Sequence, residues 1–167
     1  MSGMSPKFVR ESASDYSELA LPNDANSLGN LLGGRIMHLV DLAGAIAAMR
    51  HAGYAVVTAS VDQMQFIHPV RIGQLVRLQA SVNRVFRTSM EVGVKVVMED
   101  LVSGTTQHVS SAYLTFVAID AQGHRVEVRP VIPETVEEKR RYEAAGARRE
   151  YRLAQRRNDG AVMLPRP

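Results

Sequence analysis

The stretch from about Gly34 to His51, GRIMHLVDLAGAIAAMRH, constrains this chain more than any other feature. It contains no proline and is rich in Ala, Leu, Ile and Met, so propensity and length predict a helix. Gly53 follows Arg50 and His51, a stop signal behind side chains that suit a helix C-terminus. Apolar residues cover nearly the whole circumference, so this helix is expected to be buried on most sides. Something must wrap around it, and what comes next in the chain is a run of strands.

Ala55–Phe66 alternates β-branched and polar residues before His68-Pro69 and Gly73 interrupt it. Leu75–Val85 then sets Val76, Leu78, Ala80 and Val82 on one face. In Ser89–Glu99, Met90, Val92, Val94, Val96 and Met98 point inward, with Glu91, Gly93, Lys95 and Glu99 outward. A turn at Glu99–Gly104 leads into a long return strand, Thr105–Ile119, and a weaker strand is expected around Ser17–Leu21. Short connections predict antiparallel hairpins. The class is α+β, a curved antiparallel sheet around one long central helix, followed by a charged C-terminal helix from Glu134 to about Arg157.

The chain has 167 residues, enough for one domain with its own core. With four Phe, five Tyr and no Trp, that core must be built from Val, Leu, Ile, Ala and Met. The absence of cysteine excludes disulfides, thiolate metal sites and a Cys nucleophile, and fits a reducing compartment. The N-terminus lacks the apolar core of a signal peptide and no apolar run reaches the length of a membrane span, so a cytoplasmic protein without a membrane partner is expected.

The pI is near 9.5, which raises the question of nucleic acid. Up to Pro133, eleven Lys/Arg balance eleven Asp/Glu; from Glu134 to Arg157 there are eight basic and five acidic residues. The division is therefore a neutral domain, 1–133, and a charged helix with a flexible tail, 134–167, whose last ten residues, with Pro165 and Pro167, should fray. A basic segment can bind polyanions, but mixed signs at helical spacing read as a solvated helix. No nucleic-acid motif accompanies the charge, so no such partner is expected.

Asp41 stands in the middle of the apolar helix between Val40 and Leu42. A carboxylate there is costly unless it is hydrogen-bonded, paired or used. One structural reading bonds it to nearby backbone or to His38, and Arg35, His38 and Asp41 could form a polar stripe. Just before the helix, Gly29, Gly33 and Gly34 permit close backbone approach. A Gly-Gly pair opening a helix offers N–H groups that can stabilise an oxyanion, or simply makes a turn and a cap. The spacing is not that of a P-loop. No G-x-S-x-G elbow, HExxH or clustered His/Asp spacing supports a serine triad or a metal site.

The stretch Asp24-Ala-Asn26-x-x-Gly29-Asn30-x-x-Gly33-Gly34-x-Ile36-Met37-x-x-x-Asp41 resembles the signature of hotdog-fold acyl-CoA thioesterases of the brain-type acyl-CoA hydrolase and YciA-like group. Phe66-x-x-Pro69-Val70-x-x-Gly73, Arg87-Thr88-Ser89-Met90-Glu91-Val92 and Thr115–Asp120 match the same family in order, so the resemblance covers about Leu21 to Asp120. It implies a site shared by two subunits, with Asp41 of one chain meeting Asn26 of the other, and an assembly of at least two chains, expected as a trimer of dimers.

The implied reaction is hydrolysis of acyl-CoA to a fatty acid and CoA, a step of lipid metabolism. Asp41 would act as general base or nucleophile and Asn26 would hold water or carbonyl. The Gly33 and Gly34 amides would polarise the thioester. A thioester is already electrophilic, so no cofactor and no metal are expected. Thr88 and Ser89 are candidates to bind CoA, Arg87 and Arg71 to meet its phosphates, and Met37 and Met64 to line an acyl tunnel. Arg87 stands where relatives carry glycine. The alternatives are a non-catalytic acyl-CoA-binding sensor, which lacks a visible readout element here, and a hotdog dehydratase or hydratase, which lacks its histidine.

Overall fold

The computed structural model describes residues 4–161; of the last ten residues, expected to fray, 158–161 continue the C-terminal helix and the rest, with Pro165 and Pro167, lie outside the described residues. The elements run β1 (Lys7–Phe8), β2 (Ser14–Leu19), α1 (Gly33–Ala52), β3 (Ala55–Val61), β4 (Leu75–Phe86), β5 (Ser89–Glu99), β6 (Thr106–Ile119), β7 (Val131–Ile132) and α2 (Val136–Ala161). Strands β2-β4-β5-β6-β3 form one antiparallel sheet, and β1 and β7 pair in parallel beside it. Helix α1 touches all five strands of the large sheet, which curls around it as the hotdog architecture requires.

The core follows from two periodicities meeting. Ile36, Leu39, Val40, Ala43, Gly44, Ala47 and Ala48 are buried at helical spacing. They face the inward set Val76, Leu78, Val82, Met90, Val92, Val94, Leu114 and Phe116. Small helix residues let the sheet come close: a β-carbon on Gly44 would sit 3.0 Å from the Phe116 ring. Gly53, in the left-handed region at φ 72°, ends the helix and returns its N–H to Met49 O.

Two expectations need correction, and one residue carries more than its expected face. Helix α1 is buried along one stripe only: Leu32, Met37, Leu42 and Met49 are each more than 40% exposed. The sheet wraps one side, and propensity carries no information about which side that is. The strand expected over Ala55–Phe66 ends at Val61. Beyond it the chain runs beside β6 on irregular tethers, from Asp62 N–H to Tyr113 O, Ser110 Oγ to Gln65 O and Ile67 N–H to Val109 O. Glu91 does point to the outer face, yet it is wholly buried, because α2 lies over it.

That outer seam is polar. Arg148 grips Glu91 with Nη2 at 2.6 Å and Nε at 3.1 Å, and stacks 3.6 Å above the Tyr113 ring. Arg152 donates to Asp62 at 2.7 Å, and Asn83 donates to Glu91 at 3.1 Å. Gly93 leaves the space that Asn83 occupies, since a β-carbon there would lie 2.9 Å from its amide nitrogen. Burial pushes the Asp62 carboxyl above its usual range, although Arg152 pulls the other way. The charged helix is thus clamped along one face rather than solvated all round. Among the described residues no helix is long and apolar enough to cross a membrane.

Candidate active site

Asp41 projects from the middle of α1 toward edge strand β3, where Thr58 Oγ1 donates to its Oδ1 at 2.7 Å. The partner is neither His38 nor local backbone. Register explains it: Thr58 pairs with Phe116 and so faces the helix, and β3 packs along α1. One carboxylate oxygen is held by this bond, and no side-chain hydrogen bond to the other is found among the described residues. The expected polar stripe is broken, because Arg35 turns away to pair with Glu18 and, at 3.5 Å, with Asp24.

Those ion pairs anchor the loop that carries Asn26. Tyr16 donates to Glu18 at 2.6 Å, and the Tyr16 hydrogen bond, opposed by burial and aided by Arg35, holds the Glu18 carboxyl below its usual value. Asn26 N–H reaches Asn30 O at 2.8 Å, and Gly29, at φ 76°, closes the turn by donating to Asn26 O at 3.0 Å. Asn26 Oδ1 accepts from the N–H groups of Leu28 and Asn30, at 3.0 and 3.1 Å. The side chain is exposed, and its Nδ2 group is the part left to donate outward. Within one chain Asn26 and Asp41 share no hydrogen bond among the described residues.

Gly33 and Gly34 form the first turn of α1 behind the Leu32 cap. Helical hydrogen bonding begins with Arg35 and Ile36, both donating to Leu32 O, at 2.9 and 3.1 Å, so the two glycine N–H groups precede it. Phe66 packs 3.4 Å from where a β-carbon on Gly33 would be, while Gly34 is open. Eight residues separate Gly33 from Asp41, about 12 Å of helix, so the two ends of the candidate machinery do not meet in one chain.

The candidate CoA contacts are split. Thr88 and Ser89 lie at the β4–β5 hairpin with Arg87, whose φ of 53° is a left-handed conformation that favours glycine. Arg71 precedes β4 and bridges to Asn30. The length of β4, about 40 Å at 3.3 Å per residue, separates it from the hairpin. Met64 is half-buried against the core, and Met37 stands on the open side of α1.

Thr58 was not singled out from the sequence. A signal existed, since Val56 and Thr58 share the inward parity of β3, and a hydroxyl on that face needs a partner. Among the described residues no group of three His, Asp or Glu side chains could hold a metal ion.

Residues 28–105 match the family model of the Thioesterase superfamily. The chain is 43% identical over 137 residues to mouse acyl-coenzyme A thioesterase 11, covering 82% of this chain and 23% of that protein. It spans 25% of mouse acetyl-coenzyme A thioesterase, so it matches about a quarter of the length of these relatives. The chain is also 36% identical over 156 residues to the uncharacterized acyl-CoA thioester hydrolase YkhA of Bacillus subtilis (strain 168), covering 93% of this chain and 91% of that one.

Among solved structures, acyl-CoA hydrolase from Staphylococcus aureus in complex with butyryl coenzyme A and coenzyme A superposes with a TM-score of 0.87 at 35% identity, covering 93% and 95% of the two chains. Structures also exist of variants of that hydrolase with an aspartate, an asparagine or a threonine replaced by alanine. An apo-hexameric acyl-CoA thioesterase superposes with a TM-score of 0.88 at 38% identity, covering 96% and 100%.

Proposed function

This chain belongs to the hotdog acyl-CoA thioesterase family of the Thioesterase superfamily, and from that premise we propose that it hydrolyses acyl-CoA to a carboxylic acid and CoA at a site built from two copies. The observation that carries the reading is the Thr58–Asp41 hydrogen bond of 2.7 Å on the open side of α1. It holds a carboxylate in one orientation next to exposed apolar surface, as a hydrolytic site for an acyl group needs.

The chemistry proceeds from Asp41. As general base it takes a proton from water, whose oxygen attacks the thioester carbon; as nucleophile it attacks directly, forming a mixed anhydride that water then opens. Either way the C–S bond breaks and the thiolate leaves with a proton. The Asn26 Nδ2 group donates to the carbonyl or to the water, and the Gly33 and Gly34 amides stabilise negative charge on the carbonyl oxygen. The carbon is electrophilic enough that no metal or cofactor is required.

A second copy is invoked because Gly33 stands about 12 Å along α1 from Asp41 of its own chain, and Asn26 shares no hydrogen bond with that Asp41 among the described residues. Strand β3 supports the same conclusion. It is a free sheet edge with Val57 and Val61 exposed, next to the exposed Met37, Leu42 and Met49 of α1, a surface that a second β3 would cover. A hexamer, as a trimer of dimers, accords with the hexameric relative. The replaced asparagine, aspartate and threonine of the S. aureus hydrolase follow one another at the same separations as Asn26, Asp41 and Thr58, which supports assigning this trio the working roles.

The test is thiol release from butyryl-CoA. Asp41→Ala should lower kcat by at least about 100-fold, Asn26→Ala by about 100-fold and Thr58→Val by about tenfold. Wild-type protein that binds acyl-CoA tightly yet releases no thiol would be a sensor and not an enzyme.

A further inference from the structure

One continuous stretch of the chain, residues 58–72, touches every part of the candidate machinery. Thr58 holds Asp41. Phe66 packs against Gly33, its ring 3.4 Å from where a β-carbon would sit. Farther on, Val70 O accepts from Leu31 N–H at 2.7 Å, Arg71 bridges to Asn30, and Ile72 N–H donates to Gly29 O at 3.1 Å. The stretch therefore also borders the loop that carries Asn26. Only its first residues, to Val61, belong to β3.

The register of β3 on β6 explains how the stretch is held. In an unbroken strand residues 58, 60 and 62 would share one face. Here the pairing shifts between Thr58 and Ser60. Thr58 lies opposite Phe116, a core residue, whereas Ser60 lies opposite Thr115, the partner of the outward Glu91. This bulge sends Thr58 inward to Asp41 and Asp62 outward to α2.

Asp62 stands four residues after Thr58 and four before Phe66. Its Oδ2 accepts from Arg152 Nη1 at 2.7 Å, with both side chains only 18% exposed. Among the described residues this is the only ion pair that the stretch makes. Its other ties between Asp62 and His68 are single hydrogen bonds to β6, from Asp62 N–H, Ile67 N–H, and at Gln65 O and the His68 ring. A charge-assisted bond in a part-buried seam is the strongest of these ties.

We propose that Asp62 and Arg152 are positioning residues for the hydrolytic site. From the outer face of the sheet, α2 holds the stretch that sets Asp41 at one end and the Gly33 and Asn26 donors at the other. The inference rests on the thioesterase reading and gives the C-terminal helix a task within it. With Asp41 of one chain working beside the donors of its partner, each stretch serves both sites of a dimer.

Kinetics with butyryl-CoA, well below the unfolding temperature, separate positioning from substrate contact. Asp62→Asn and Arg152→Met should each lower kcat about tenfold and leave KM unchanged, because only the alignment of reacting groups is lost. The double variant should fall no further than either single one, since a pair that acts as a unit is lost once. Arg152→Lys keeps the cation and should recover part of the loss. Arg140→Ala, which removes an exposed cation of α2 paired with Glu137, should leave kcat as it is. An unchanged kcat in Asp62→Asn would overturn the proposal. So would losses that multiply in the double variant, or a rise in KM alone for Arg152→Met, which would make Arg152 a substrate contact.

Amide hydrogen exchange reads the same stretch without turnover. Peptides spanning 62–68 and 30–36 should exchange faster in Asp62→Asn while β5 stays protected. Equal exchange in both proteins refutes the proposal. Faster exchange throughout, β5 included, also refutes it, since the pair would then support the whole fold and not the site. If wild-type protein hydrolyses no thioester, the thioesterase reading fails separately, and the exchange pattern still decides whether Arg152 and Asp62 place the stretch.

Discussion

Two helices close the two faces of one sheet, and they do so by opposite means. Against the inner face, α1 lays Ala43, Gly44, Ala47 and Ala48 onto Phe116, Val92 and Val94, a mainly apolar seam to which Ser14 Oγ adds a hydrogen bond to Ala43 O at 3.2 Å. Against the outer face, α2 brings Arg148 and Arg152 onto Glu91 and Asp62 over the Tyr113 ring. The apolar seam places a helix closely but leaves the residues on its far side free to differ, and there Met37, Leu42 and Asp41 meet open surface. The charged seam must match each charge with its partner, so it fixes the register of α2.

Mutations should fail differently on the two sides. Phe116→Ala removes the largest side chain of the apolar seam and should cost about 3–5 kcal/mol in denaturant unfolding, through a cavity that Gly44 cannot fill. Arg148→Ala should cost about 3 kcal/mol, because it strands the buried Glu91. The paired replacement Glu91→Leu/Arg148→Met should recover most of that loss. If it does not, the charged seam contributes net stability and the contrast between the faces weakens. Gly44→Ala should cost about 1–3 kcal/mol by overpacking against Phe116.

A smaller effect is read from pH. His51, at the end of α1, is wholly buried, with Nε2 2.9 Å from Arg129 O and Nδ1 unpartnered. Burial pushes its pKa below the usual histidine value of about 6.5. The unfolded chain therefore takes up a proton that the fold resists. Stability should fall as pH drops below about 6.5, and be fully present above it. His51→Gln should flatten that part of the Tm–pH curve, and an equal slope in both proteins would remove His51 as its cause. The smallest effect is expected of Arg77→Ala, within about 0.5 kcal/mol, since its bond to Glu99 at 3.2 Å lies on the surface.

What could be read from the sequence divides along the same seams. Period two located β4, β5 and β6, and the inward set from Val76 to Met98, because a strand half-buried on one face announces itself. Helix α1 was equally legible as a helix, but its exposed side was not. Leu42 and Ala43 look alike to a hydropathy pattern, and only the curl of the sheet separates them. Glu91 was legible as an outward residue but not as a buried one, because its partner Arg148 comes from a helix more than fifty residues later in the chain. At the candidate site, Asp41 declared itself by contrast with its neighbours, whereas Thr58 needed the β3–β6 register to turn it toward the helix. Within one chain Arg71 lies a strand's length from Arg87, Thr88 and Ser89, a separation that the motifs alone do not carry.

The sharpest trial of a site shared between two chains is subunit complementation. Asp41→Ala and Asn26→Ala proteins, each inactive, are mixed in equal amounts under conditions that exchange subunits, and thiol release from butyryl-CoA is followed. With Asp41 of one chain working beside Asn26 of the other, half the dimers are mixed and each mixed dimer holds one intact site, so activity should return to about a quarter of wild type. If exchange is complete and no activity returns, Asp41 and Asn26 do not act across two chains.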